Sequence, residues 1–263
     1  MRRQRSRLAF MAGVGLLLLA TVSGCATSGS QADEDLARRK ASSHFNLAAD
    51  HAENGRLELA LRELLAAQRL NPRNPRVEHA LGMAYLRKGR QVEAEQHMLS
   101  ALEIAPGYQE ARYNLSTLYL SQGRFQECIH HSQLLFDDAT FTAPWRALTN
   151  WGWAAYQLGD PVQARAHLEH AQDYNPRYWP TQLNLGILEQ EEGNRVEAIR
   201  AFGVVLELRP TDSAAAEANY RLAEIHVSMG QRVEAMGYLR TAVVKAPDDP
   251  WGKKSEAFLK RLR

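Results

Sequence analysis

The sequence predicts an all-α protein in which one helix hairpin is written six times. Three observations predict it. Gly55, Gly89, Gly123, Gly159, Gly193 and Gly230 recur at intervals of 34, 34, 36, 34 and 37 residues. The same residue types return in register around each of them. The apolar residues between these markers fall at spacings of three and four, as amphipathic helices require.

Each slot of the repeat has a physical reason. A bulky apolar residue in the first helix (Leu47, Leu81, Leu115, Trp151, Leu185, Leu222) is followed by a small one (Ala48, Gly82, Ser116, Gly152, Gly186, Ala223) that lets the partner helix approach. The recurring Gly, seven residues after the small slot, fits a left-handed C-cap, which costs a residue without Cβ little. Five residues further on, a second small residue (Ala60, Ala94, Cys128, Ala164, Ala198, Ala235) marks the second helix. In "GDPVQA", residues 159–164, Asp160 can cap that helix and Pro161 fits its first turn. Pro72, Pro106, Pro176, Pro210 and Pro247 close five of the six copies. The copies occupy 41–249. Residues 250–263 place Phe258, Leu259 and Leu262 on one face, the pattern of a C-terminal capping helix.

The third copy departs from the pattern. Ser132 stands where a large apolar residue belongs, Thr140 replaces the Pro, and two residues are added. The stretch "FDDATFTAPW", 136–145, is therefore expected to be a longer, irregular connection: a tolerated surface insertion, a contact loop, or a local change of curvature. A second insertion, of three residues, falls near 210–218.

These slots resemble the tetratricopeptide repeat, with "LGMAY" (81–85) and "AIRAF" (198–202) close to its two helix signatures. The resemblance implies a superhelix whose first helices line a concave wall through their fifth, ninth and twelfth slots. Here those slots supply Phe45, Met83, Leu86, Tyr113, Leu120, Trp153, Tyr156, Leu183, Ile187 and Tyr220, with few charges among the rest. They form either an open apolar groove for a protein partner or packing between neighbouring first helices. Trp153 and Tyr156, flanked by Trp145, Trp151 and Trp179, are the expected hot spot. Trp151 itself fills the bulky slot and is expected to be structural.

The N-terminus reads as a processed segment. "MRRQRSR" is a basic head, and an apolar stretch of about 16 residues follows it, the layout of a secretory signal over 1–24. "VSGC", 22–25, resembles the lipobox of bacterial lipoproteins, which implies cleavage before Cys25 and acyl chains on it. Those chains would be a stable membrane anchor. Ala26, in place of Asp, implies the outer membrane and its periplasmic face. Residues 25–40 are then expected to be a flexible tether. Loss of a leader with four Arg and no acid leaves 28 basic against 30 acidic side chains, a net charge of −2. No nucleic-acid footprint remains. With Cys25 lipidated, Cys128 has no disulfide partner and is expected to be a buried, inert thiol.

No phosphate loop, dinucleotide fingerprint, zinc-protease motif or nucleophile elbow occurs. His167 and His170 stand three apart on a helix, yet nothing at diagnostic spacing completes a metal site. Glu191 and Glu192 end a first helix and read as solvated. The expectation is a protein without enzymatic activity, cofactor or metal. Its overall layout resembles the lipoprotein pilotins of type IV pilus systems (the PilF/PilW/Tgl kind, nearest to Tgl). That resemblance implies a partner, the pilus secretin, whose assembly or stability in the outer membrane the protein supports. A different envelope scaffold, organising outer-membrane protein assembly or cell-wall enzymes, has the same anchor and repeats.

Overall fold

The computed structural model describes residues 25–262; the leader read over 1–24 lies outside the described residues. Among these residues the chain forms thirteen α-helices and no strand. They are α1 (Cys25–Glu53), α2 (Leu57–Leu70), α3 (Pro75–Arg87), α4 (Gln91–Ile104), α5 (Gln109–Ser121), α6 (Phe125–Phe136) and α7 (Pro144–Gln157). There follow α8 (Pro161–Tyr174), α9 (Trp179–Glu191), α10 (Arg195–Glu207), α11 (Asp212–Ser228), α12 (Arg232–Lys245) and α13 (Pro250–Arg261). Odd-numbered helices pair with the even-numbered ones after them to give six hairpins, and α13 packs across α11 and α12. The first helices also stack on one another from α5 through α7 and α9 to α11.

The turn inside each hairpin is the one its Gly dictates. All six have φ between 72° and 83°, the left-handed region that a Cβ disfavours. Asp160 caps α8, its side chain accepting from the Gln163 amide at 2.9 Å with Pro161 at the first position.

The hairpins close by a trade of volume between two slots. A Cβ on Gly82 would stand 2.8 Å from Cγ of Met98, on Gly152 2.9 Å from Cγ of Leu168, and on Gly186 2.7 Å from Cε1 of Phe202. Those three large side chains are fully buried, and burial of each contributes about 1.5–3 kcal/mol. Where the first helix carries Ala48 or Ala223, the equivalent second-helix residue is Leu64 or Leu239, also buried. In the third hairpin both slots are polar, Ser116 and Ser132.

A second pair of slots carries charge. His44 Nδ1 donates to Glu63 Oε2 at 2.7 Å. One unit further on, the partners are exchanged: His97 Nδ1 donates to Glu78 Oε2 at 2.8 Å. The bond to His44 holds Glu63 below the usual carboxylate range. Glu78 is also lowered: burial is the largest influence and pushes it up, but the bonds from His97 and Gln68 outweigh it. In the third hairpin the same slots hold two bases, Arg112 and His131. Burial, with Arg112 nearby, pushes His131 down to about 4.

Several expectations are corrected. Residues 25–40 are helical: α1 runs unbroken from Cys25, so the expected flexible tether is a helix that continues into the first hairpin. The stretch has no Pro, one Gly and a helix-forming run "EDLARRKA", and Arg38 pairs with Asp35 one turn away. Leu47, in the bulky slot, is exposed, since among the described residues no hairpin packs on that side of α1. The three-residue insertion near 210–218 makes no loop. It lengthens α11 to 17 residues, with the Thr211 hydroxyl accepting from the Ala214 amide at 3.3 Å.

The connection after α6 is irregular, as expected, and it is tied down. The Asp138 carboxylate accepts from the Thr140 amide at 2.9 Å and its hydroxyl at 2.7 Å, and from Gln109 Nε2 of α5 at 2.7 Å. These bonds hold Asp138 below the usual carboxylate range. Cys128 is fully buried, its thiol pushed up to about 12 by burial, which leaves it the inert core residue the sequence suggests.

Candidate protein-binding surface

The ten residues read as a concave wall divide into two sets. Phe45, Met83, Leu86, Tyr113, Leu120, Trp153, Tyr156 and Tyr220 are half-buried, each keeping part of its side chain in solvent. Leu183 and Ile187 are core residues, 8% and 3% exposed, and they are corrected here. They pack with Phe202, Leu222 and Ile225 beneath Trp153 and Trp179. At this point the first helices are drawn together: Thr149 and Thr181 are buried, their hydroxyls 2.6 Å apart across α7 and α9. The α9 slots between them cannot reach a partner.

The half-buried set is less greasy than its residue types suggest. The Arg76 guanidinium lies 5.0 Å over the Phe45 ring, and that of Arg146 lies 3.6 Å over Tyr113. The hydroxyls of Tyr113 and Tyr178 are 3.5 Å apart, and burial raises Tyr178, with Tyr113 beside it. Asn114 donates to His79 Nε2 at 2.7 Å, and Tyr108 closes the ring's other side at 3.3 Å. Burial pushes His79 down. Further along, Trp153 and Tyr156 stack at 4.7 Å, nearly parallel. Burial, followed by the nearby Glu191 carboxylate, pushes Tyr156 up to about 12. Gln190 donates to Glu224 at 3.2 Å, and Tyr220 packs against Trp251 and Phe258 of the capping helix. The surface is therefore a run of aromatic faces rimmed by Arg, Asn and carboxylate, the mixture that anchors protein interfaces.

Arg146 and Tyr178 were missed in the sequence because neither falls in the three wall slots. A signal existed: Arg76 and Arg146 each stand three residues before a fifth slot, and each lies over the aromatic ring of the preceding hairpin. Trp151 is half-buried and stacks on His167 at 4.1 Å, a structural role. No group of three or more His, Cys, Asp or Glu is placed to hold a metal among the described residues. No helix among them is long and apolar enough to cross a membrane. Cys25 opens α1, and its side chain lies outside what is described.

The repeat geometry defines a class, the helical solenoid whose hairpins bind other proteins. Tetratricopeptide-repeat models match residues 45–109 and 149–213, and a second such model matches 189–253. The chain belongs to the tetratricopeptide-repeat family. PilF of Pseudomonas aeruginosa superposes with a TM-score of 0.69 at 18% identity, over 86% of this chain and 99% of that one. PilW, described as a widely conserved type IV pilus biogenesis factor, gives 0.69 at 18% identity, over 81% and 97%. The Cut9–Hcn1 assembly gives 0.73 at 18% identity, over 91% of this chain but 46% of that one. At these identities the likeness is one of fold. No curated protein matches the sequence.

Proposed function

We propose that this chain is a non-enzymatic outer-membrane lipoprotein, anchored through Cys25 on the periplasmic face, that binds the type IV pilus secretin. In this reading it promotes secretin assembly or stability and so supports pilus formation and motility. The observation that carries it is the wall of half-buried aromatic side chains on stacked first helices, centred on Trp153 and Tyr156. The end-to-end likeness in fold to PilF and PilW supports it, as does the lipobox-like "VSGC".

The physics is compatible. An unassembled secretin subunit exposes strand edges and apolar surface that aggregate in water. A wall of rigid aromatic faces gives such a segment a site with little entropy to lose. Tethering to the membrane raises its effective concentration where assembly happens.

The test is to delete the gene and score secretin multimers on a gel, then complement with Trp153→Ala/Tyr156→Ala. The expected outcome is loss of multimers on deletion, and a double variant that keeps its helical circular dichroism but no longer copurifies secretin. Copurification unchanged by the double substitution would remove the wall from the account. Multimers unchanged by deletion would remove the secretin.

A further inference from the structure

Outside the wall, one edge of the solenoid is unlike the rest. The turns between first and second helices expose Val162, Val196 and Val233 at 78%, 74% and 80%, at equivalent positions of the fourth, fifth and sixth hairpins. Leu158 and Met229, closing α7 and α11, are exposed beside them. The second hairpin also exposes a valine in this slot, Val92, whereas the first and third carry Glu58 and Gln126, so only from the fourth hairpin onward do the valines stand in consecutive units. Nothing in the hairpin needs Val there: neighbouring slots close the core in every unit without it. Three valines in a row along one edge make an apolar strip.

Pro161, next to Val162 in the chain, lines a cleft of about 500 Å³ between the α7–α8 turn and the end of α9. Tyr156 and Pro161 give it an apolar side, and Gln157, Glu191 and Glu192 line the rest. The two acids differ. Glu192 is held by Arg165 at 2.7 Å. Glu191 forms no ion pair among the described residues, and its charge helps to suppress ionisation of the nearby Tyr156 hydroxyl. An open carboxylate beside the Tyr156 ring and Pro161 matches a side chain with an apolar stem and a cationic tip.

The geometry points to this cleft as a socket for a Lys or Arg of a protein partner, in a segment whose flanking apolar side chains lie on the valine strip. The inference rests on the reading of the solenoid as a protein-binding scaffold, and it adds the chemistry of the partner. Tyr156 links the two surfaces: one face of its ring stacks on Trp153, and the residue lines the cleft.

The probe is the fluorescein-labelled peptide SVLKLVS, titrated with the purified protein and followed by anisotropy. Binding is expected to weaken about tenfold or more with Glu191→Lys, and by a similar factor when the peptide's Lys becomes Ala. Glu191→Lys should in turn bind the peptide with Glu in place of Lys better than the natural chain does. This gain cannot come from misfolding. Val196→Asp should weaken the Lys peptide and leave the helical circular dichroism unchanged. Affinities within twofold across these variants and peptides would overturn the socket. The probe contains no secretin, and Glu191 and Val196 lie outside the Trp153/Tyr156 double substitution. Loss of the secretin result with the charge swap intact sinks only the proposed partner, and the reverse sinks only the socket.

Discussion

The second and third hairpins share a turn and the register of the slots around it, yet they are held together differently. In the second, Met98 fills the hollow over Gly82, and His97 is bonded to the Glu78 carboxylate. In the third, the same four slots hold Ser116, Ser132, Arg112 and His131. Asn150 of the next hairpin donates to the Ser116 hydroxyl at 2.9 Å and to that of Thr117 at 3.1 Å. The Ser132 hydroxyl and His131 Nδ1 are buried without a partner. Thus the second hairpin closes on itself, whereas the third is closed largely by its neighbour. A solenoid's stability is a sum of unit and interface terms, so the third hairpin is a weaker unit than the second and leans on α7.

The comparison can be broken most sharply at Met98. Met98→Ala should cost about 2–5 kcal/mol in urea unfolding, because it empties a hollow that Gly82 cannot fill. A loss under 1 kcal/mol would show that the second hairpin does not depend on its knob. Next in size, Gly82→Ala should cost about 1–3 kcal/mol by driving a Cβ into Met98. Gly82→Ala combined with Met98→Ala should cost less than the sum of the two, as a double-mutant cycle would read.

The effect of acid comes next. Burial holds His131 neutral, whereas in the unfolded chain it titrates at its ordinary value near 6.5. Between that value and about 4 the unfolded state binds more protons, so stability falls as the pH drops through this window. After solvent screening the contribution is about 1 kcal/mol. His131→Gln should flatten the slope of stability against pH there. It should not abolish it, since burial lowers His79 and His167 in the same direction. Smallest of all, Ser132→Ala should be neutral or stabilising by up to about 1 kcal/mol, because it removes a buried hydroxyl that has no bond to lose. A loss of stability would mean that the hydroxyl is satisfied in solution.

What could be read in the sequence follows the same division. The turn glycines, the Asp160 cap and the small slots were legible because each obeys a rule of its own backbone, whatever the neighbours do. The repeat models stop at residue 109 and resume at 149, which brackets the third hairpin, where Ser132 and the missing Pro weaken the signal. The wall was legible in part. Which face of a first helix meets solvent depends on how tightly successive hairpins stack. Thr149 and Thr181, which set that distance at α7–α9, look like ordinary polar residues in the chain. Analogy with slots that elsewhere reach the surface therefore misplaces Leu183 and Ile187, which are buried. The first part of α1 escaped because the stretch "ATSGSQADED" is polar, and its helicity comes from continuity with the hairpin beyond.

That continuity has a mechanical consequence. Each residue of an α-helix advances about 1.5 Å and turns about 100°, so residues 25–40 act as a shaft rather than a string. If Cys25 is fixed at a surface, removing one residue from this shaft would barely change the height of the six hairpins, but it would swing them through more than a quarter of a revolution and point a different side of the molecule inward.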